Sequence, residues 1–131
     1  MLFGNNKQKV LVIDDDSSLR RQLSFRLKNH ENLDVIEAED GQTGLDQAIK
    51  LSPDLIILDW MLPDIEGPDV LDLLKLQNKT KSIPVLMLTG KNKIGNIEDA
   101  FNLGADAYLT KPFSLKSIDE KVIELLNKNK N

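Results

Sequence analysis

The chain has 131 residues, of which 40% are hydrophobic and 29% charged, with a formal net charge of -4 and no cysteine. This balance predicts one folded domain rather than a disordered chain. The acidic net charge disfavours non-specific nucleic-acid binding. The lack of cysteine excludes disulfides, thiolate zinc sites and cysteine nucleophiles. No run approaches the roughly 18 apolar residues of a membrane helix and the N-terminus lacks a signal-peptide pattern, so we expect a soluble cytoplasmic protein without a membrane partner.

Short apolar runs alternate along the chain with longer amphipathic segments. Continuous apolar runs are typical of buried parallel strands, and a 3.6-residue period marks the helices that cover them. The predicted strands lie at 9–13, 33–38, 55–58, 84–88 and 107–109. The predicted helices that follow them are one capped by Ser17 or Ser18, with Leu19, Leu23 and Leu27 inward and Phe25 beside them, one at 41–51, and one at 66–77 with Val70, Leu73, Leu74 and Leu71 as its apolar positions. A weak helix at 94–103 and a last helix with Leu115, Ile118, Val122, Leu125 and Leu126 inward complete the pattern.

Five strand–helix units predict a single α/β domain, because parallel strands need right-handed crossover connections. We expect a three-layer, flavodoxin-like (βα)5 fold with a five-stranded parallel sheet of order 2-1-3-4-5 and helices on both faces. Residues 1–8 would be an N-terminal extension, 9–127 the domain and 128–131 a short tail. The switch point of this strand order lies between strands 1 and 3, where ligands of such sheets bind.

The third strand ends abruptly at Asp59, after the apolar run 55–58. A carboxylate at the carboxyl end of a buried parallel strand is placed for ligand binding. Taken alone, it is equally often the cap of a turn. The choice depends on whether other strands end in residues of matching chemistry.

Acidic residues also end the first predicted strand, at Asp14, Asp15 and Asp16. The switch point brings these carboxylates close to Asp59, where they repel one another unless a cation neutralises them. Mg²⁺ takes oxygen ligands, usually one or two carboxylates together with water and substrate phosphate. The sequence therefore predicts a magnesium site at this edge of the sheet.

Two further strand ends supply groups that a phosphoryl group requires. Thr89 offers a hydroxyl donor beside Gly90, and Lys111 offers a positive charge. Each of these alone is more often a helix cap or a solvated side chain. Together with the acids they predict phosphoryl transfer onto a carboxylate, with Asp59 as the nucleophile.

The strings VLVIDDD, LDWMLPDIEG, VLMLTG and GADAYLTKPF, in this order and spacing, resemble the receiver domain of two-component response regulators, over essentially the whole chain. The resemblance implies these roles: Asp59 as phosphoacceptor and metal ligand, Asp15 as a direct Mg²⁺ ligand, Asp14 as a ligand through water or from the outer coordination sphere, the Met61 backbone carbonyl as a further ligand, Thr89 as the switch hydroxyl, Lys111 as the phosphate-binding cation and Tyr108 as the switch aromatic. It also implies a cis Lys111–Pro112 bond, a semi-exposed Trp60, and positions beside the phosphate for Met61 and Lys91.

By the same resemblance, a sensor histidine kinase or a histidine phosphotransfer protein supplies the phosphoryl group. The domain assists its own phosphorylation and dephosphorylation but is not expected to be an enzyme. Phosphorylation would rearrange the surface formed by the predicted helix at 94–103, the fifth strand and the last helix, and so signal to a partner protein or output domain. We expect no direct nucleic-acid contact by the domain and a monomer, with dimerisation on phosphorylation left open.

Competing interpretations are a receiver cut from a longer winged-helix DNA-binding regulator, or a flavin-binding electron carrier of the same fold. LDWMLP resembles strings in receivers attached to winged-helix transcription factors, which keeps the first open. A flavin carrier needs a phosphate loop after strand 1, where DDDSS is acidic. The chain lacks the glycine-rich motifs of a P-loop and of a dinucleotide-binding fold, and it lacks the second Asp that a phosphatase with an Asp nucleophile needs. His30 is expected at the surface.

Overall fold

The computed structural model describes residues 7–90, 102 and 104–128. Within these ranges the chain alternates strands with helices, as the sequence predicts. The strands are β1 (Lys9–Ile13), β2 (Asp34–Ala38), β3 (Leu55–Asp59), β4 (Val85–Gly90) and β5 (Ala107–Lys111), and the helices are α1 (Ser17–His30), α2 (Gly41–Leu51), α3 (Gly67–Lys75) and α4 (Leu115–Lys128). No helix in this part of the chain combines the length and apolar character needed to cross a membrane.

All five strands form one parallel sheet in the order β2-β1-β3-β4-β5, which confirms the predicted topology. In the register between β1 and β3, Ile13 pairs with Leu58. The next residues along these two strands are Asp14 and Asp59. The strand order thus places two carboxylates side by side at the carboxyl edge of the sheet.

Apolar side chains pack on both faces of the sheet, so the three-layer arrangement is also confirmed. Every residue of β3 is buried, as expected for a central strand covered on two sides. One face packs against α2 and α3 through Leu45, Ala48, Val70, Leu71 and Leu74. The other packs against α1 and α4 through Leu23, Leu27, Ile118, Val122, Leu125 and Leu126.

Helix α1 begins differently from its prediction. The N-cap is Asp16, whose carboxylate accepts a hydrogen bond from the backbone N–H of Leu19, and Ser17 is already helical. A carboxylate at this position satisfies an unpaired N–H and also interacts favourably with the helix dipole. The expected cap at Ser17 or Ser18 was therefore wrong by one residue. Asp40 caps α2 in the same way, through the N–H of Thr43.

Other differences lie at element ends and on helix faces. Strands β4 and β5 extend to Gly90 and Lys111, and α3 is shorter than predicted. In α3, Leu71 is buried whereas Leu73 is 36% exposed, because Leu71 shares the inward face of the helix with Val70 and Leu74. Phe25 of α1 is also exposed. The predicted helix at 94–103 lies outside the described residues except for position 102.

Candidate functional site

Three carboxylates meet at the carboxyl edge of the sheet. Asp14 and Asp15 follow β1, and Asp59 ends β3. One oxygen atom of each lies within 4.8 Å of the others. Asp14 and Asp59 are buried and Asp15 is exposed, so the cluster opens to solvent on one side. The structure thus brings together the acids that the sequence predicts as metal ligands.

Lys111 completes this cluster from the end of β5. Its ammonium group donates to Asp59 Oδ1 over 3.1 Å and to Asp14 Oδ2 over 3.3 Å. The Lys111–Pro112 peptide bond that follows is cis, as the resemblance implies. One cation therefore faces three anions in a partly buried site.

The protonation of Asp59 and Lys111 reflects this imbalance of charge. Burial and the negative charge of Asp14 raise the pKa of Asp59 to about 6, although Lys111 opposes them. Burial disfavours the charge of Lys111, but the charges and hydrogen bonds of Asp59 and Asp14 outweigh it and raise the pKa of Lys111. Asp59 is therefore largely ionised at neutral pH, and Lys111 is fully protonated.

Arg20 supports the cluster from α1, a role the sequence analysis missed. Its guanidinium donates to the backbone carbonyl oxygen of Asp14 over 2.6 Å and to Glu37 of β2 over 3.0 Å. The carboxylate of Asp14 also accepts from the N–H of Asp16 over 2.9 Å. A cation in a first helical turn is disfavoured by the helix dipole unless another group stabilises it. The presence of Arg20 in this turn therefore indicates a specific partner for its side chain.

Thr89 and Tyr108 lie on the same face of the sheet, on neighbouring strands. Tyr108 pairs in register with Met87 and packs with it against the α2–α3 side of the core. Because side chains alternate along a strand, Thr89, two residues beyond Met87, lies on that same face. Thr89 is buried, and its hydroxyl makes a long 3.4 Å hydrogen bond to the carbonyl oxygen of Gly90.

The residues directly after Asp59 differ in exposure. Trp60 is 7% exposed and belongs to the core, so the expected semi-exposed tryptophan was wrong. The backbone N–H of Trp60 donates to the carbonyl oxygen of Leu88. This hydrogen bond prolongs the pairing of β3 with β4, and the indole packs in the core. The Met61 side chain is 63% exposed. Lys91 lies outside the described residues.

The donor set fits a hard divalent cation. The oxygens of Asp14, Asp15 and Asp59 converge, and their combined negative charge exceeds the single positive charge of Lys111. Burial first, and then the negative charge of Asp14, raise the pKa of Asp59, so a further cation beside it would favour its ionised form. Carboxylate oxygens with one exposed side suit Mg²⁺, which keeps several water ligands.

Comparison with known proteins agrees with this site. Residues 10–123 match the family model described as the response regulator receiver domain. The DNA-binding dual master transcriptional regulator RpaA of Synechocystis is 41% identical over 92% of the chain and 49% of its own length. The alkaline phosphatase synthesis transcriptional regulatory protein PhoP of Bacillus subtilis is 38% identical over 93% of the chain and 50% of its own length. The chain thus spans about half the length of these curated relatives.

Solved structures show the same domain. The receiver domain of the Francisella response regulator 1452 superposes with a TM-score of 0.86 and 32% identity, covering 94% of this chain and 99% of the other. The chemotaxis protein CheY4 of Vibrio cholerae gives a TM-score of 0.84 and 29% identity, covering 91% and 98%. Nearly all of each solved chain is matched. With its acidic cluster, its lysine and its strand order, the chain belongs to the response regulator receiver domain family.

Proposed function

We propose that this receiver accepts a phosphoryl group on Asp59, from a sensor histidine kinase or a histidine phosphotransfer protein, in a reaction that depends on Mg²⁺. The observation that carries the proposal is the position of the Asp59 carboxylate. It ends a central strand, lies 3.1 Å from the Lys111 ammonium group and shares an oxygen cluster with two further acids. The proximity of a carboxylate, a cation and two further acids supports phosphoryl transfer onto Asp59.

Asp14, Asp15 and Asp59 would hold Mg²⁺, with the backbone carbonyl of Met61 as a further ligand. When bound, Mg²⁺ neutralises charge on the cluster and on the phosphoryl oxygens during transfer. Lys111 keeps the Asp59 carboxylate oriented through the 3.1 Å hydrogen bond. Arg20 fixes the backbone of Asp14 through its carbonyl oxygen and so holds the first acid in place.

In the transfer itself, an Asp59 carboxylate oxygen attacks the phosphorus atom of a phosphohistidine. A P–O bond to Asp59 forms while the P–N bond breaks, and the imidazole leaves with the electron pair of that bond and takes up a proton. With its pKa at about 6, Asp59 is mainly the ionised nucleophile at neutral pH. Lys111 stays within reach of the new phosphoryl oxygens and compensates their added negative charge.

Thr89 and Tyr108 would convert the phosphoryl group into a change of surface. The Thr89 hydroxyl would donate to a phosphoryl oxygen, and the space it leaves would admit the Tyr108 ring. Their placement on one face of β4 and β5 supports this coupling. The long hydrogen bond of Thr89 costs little to break. The surface that would change comprises β5 and α4; the predicted helix at 94–103, expected on the same surface, lies outside the described residues except for position 102.

The receiver is a signalling domain, and its output is a partner protein or an attached domain. The curated relatives RpaA and PhoP are named as transcriptional regulators. Two arrangements fit this description: a receiver that acts through protein contacts, and a receiver within a longer winged-helix regulator. The comparisons do not favour the second arrangement. Direct contact of this domain with nucleic acid is not part of the proposal, because its net charge is -4. We place it in the cytoplasm as a monomer, with phosphorylation-dependent dimerisation open to test.

Incubation with acetyl phosphate and Mg²⁺, followed by intact-mass measurement, tests the proposal. The wild-type protein should gain one acid-labile phosphoryl group, and Asp59→Asn should gain none. Asp54→Asn is a matched control, because Asp54 precedes the same strand at its opposite end and accepts the N–H of Lys9. Unchanged labelling of Asp59→Asn, or no labelling of the wild type, would contradict the assignment.

A further inference from the structure

The loop between β3 and α3, residues 60–66, is fixed where it returns to the sheet. The N–H of Gly67 donates to the carbonyl oxygen of Trp60 over 2.7 Å. A side chain at Gly67 would clash with the Asp59 carbonyl oxygen, because the start of α3 packs directly on this backbone. The two ends of the loop are therefore held together beside Asp59.

Asp64 fixes the middle of the same loop to a different helix. Its Oδ1 accepts the N–H of Gly41 over 2.7 Å, and its Oδ2 accepts the N–H of Gln42 over 2.9 Å. These are the first two residues of α2. The N–H groups of Gln42 and Gly41 also lower the pKa of Asp64, so it is ionised at neutral pH. A charged carboxylate with two donors at a helix N-terminus is a favourable, directional contact.

We propose that Asp64 is a positioning residue for the metal site: its two hydrogen bonds to α2 hold the loop that carries Met61 in the conformation that Mg²⁺ binding requires. The inference rests on the proposed function, because it concerns the same metal. Met61 lies two residues after Asp59 and three before Asp64, between the two points at which the loop is fixed. The Met61 side chain is 63% exposed and adds little packing of its own.

The expected effect is moderate, since apolar contacts also support the loop. Leu62 and Ile65 pack against the α2–α3 side of the core and would remain after Asp64 is replaced. Mg²⁺ nevertheless tolerates little departure from octahedral geometry, so a small displacement of one ligand lowers its affinity. Groups that orient metal ligands typically change affinity by about tenfold or more when removed, and we expect roughly three- to tenfold here.

Asp64→Asn and Asp40→Asn form a matched pair for the test. Both remove one negative charge from the N-terminus of α2, and Asp40 accepts the N–H of Thr43 over 2.8 Å. Only Asp64 belongs to the loop after Asp59. The difference between the two variants therefore separates loop positioning from the general effects of charge and helix capping.

Two measurements are made on the full chain: the Mg²⁺ dissociation constant by calorimetry, and the amide exchange of Met61, Leu62 and Asp64 by NMR without metal. Asp64→Asn should raise the dissociation constant roughly three- to tenfold and speed amide exchange in the loop. Asp40→Asn should leave both close to wild type. Asp64→Ala should act in the same direction and more strongly, because Asn keeps one acceptor oxygen.

Equal effects of Asp64→Asn and Asp40→Asn would overturn the inference, as would wild-type affinity in both Asp64 variants. Saturating Mg²⁺ should restore phosphorylation of Asp64→Asn by acetyl phosphate, since Asp64 does not touch the reacting atoms. A rate that stays low at saturating metal would also contradict the positioning role. Failure of the proposed function would appear instead in the wild-type protein, as absent Mg²⁺ binding or absent phosphorylation.

Discussion

The Lys111 side chain reaches from the edge strand of the sheet to carboxylates at the ends of two other strands. It lies 3.1 Å from Asp59 Oδ1 and 3.3 Å from Asp14 Oδ2. Because the strand order is β2-β1-β3-β4-β5, the Lys111 side chain crosses β4 to reach Asp59 beyond it and Asp14 one strand further. The lysine therefore contacts two of the three carboxylates that we propose as Mg²⁺ ligands.

Replacing Lys111 by Met should separate metal binding from phosphoryl uptake. Loss of the positive charge leaves three uncompensated carboxylates, so Mg²⁺ should bind about three- to tenfold more tightly. Phosphorylation by acetyl phosphate should fall, because Mg²⁺ alone then offsets the negative charge of the phosphoryl oxygens. Calorimetry at about pH 8, where Asp59 remains ionised, measures the first effect.

Lys121→Met is the control for this variant. Lys121 pairs with Glu124 over 3.8 Å on the surface of α4, so its loss should alter neither metal binding nor phosphorylation. Weaker Mg²⁺ binding by Lys111→Met would mean that the lysine organises the site rather than competing with the metal.

Asp59→Asn should stabilise the metal-free protein at neutral pH. The pKa of Asp59 is about 6 in the folded protein against an ordinary 3.8, so the folded state binds this proton more tightly than the unfolded chain. Ionised Asp59 therefore opposes folding above about pH 6, and this cost disappears as the pH falls toward 4. Urea unfolding should show a gain of about 1–3 kcal/mol for the variant at neutral pH.

The pH dependence provides the internal check on that gain. The difference between Asp59→Asn and wild type should shrink between about pH 6 and pH 4. Asp54→Asn, at the other end of β3, removes a negative charge but keeps an acceptor oxygen for the Lys9 N–H, and should show no gain. A stability difference for Asp59→Asn that is independent of pH would contradict the charge argument.

Apolar runs that end in charged residues predicted the strands and the acids at their carboxyl edge. The strand order does not follow from periodicity; it was expected as the common solution for a domain of this size, and the structure confirms it. The sequence did not predict Arg20 or Asp64. Both act through backbone groups, Arg20 on the Asp14 carbonyl and Asp64 on two α2 N–H groups, and such contacts depend on loop geometry rather than on residue periodicity. Trp60 was wrongly expected near the surface because that expectation came from the resemblance alone, whereas alternation along β3 puts Ile56, Leu58 and Trp60 on the same buried face.

Thr89→Ala should uncouple phosphorylation from the change at Tyr108. Thr89 is 1% exposed, so the variant should lose about 1 kcal/mol of stability but remain folded. Asp59 should still be phosphorylated, because Thr89 is not the nucleophile. NMR signals of the Tyr108 ring should shift on phosphorylation in wild type and Thr89→Ser, and much less in Thr89→Ala. Equal shifts in all three proteins would remove Thr89 from the switch.

Gly67→Ala should both destabilise the protein and weaken Mg²⁺ binding. The added Cβ would clash with the Asp59 carbonyl oxygen and lie 2.8 Å from the Cα of Trp60, and neither backbone can move without disturbing β3. Overpacking of this kind costs about 1–3 kcal/mol, and more where backbone must shift. Urea unfolding and Mg²⁺ calorimetry measure the two effects.

Gly90→Ala is the matched control at the end of β4, since among the described residues no atom lies within 4 Å of its added Cβ. It should therefore leave stability within about 0.5 kcal/mol of wild type. If Gly67→Ala lowers stability while Mg²⁺ affinity stays at the wild-type value, the contact between α3 and the Asp59 backbone shapes the fold alone. A joint loss means that the same contact also sets the position of the metal ligands.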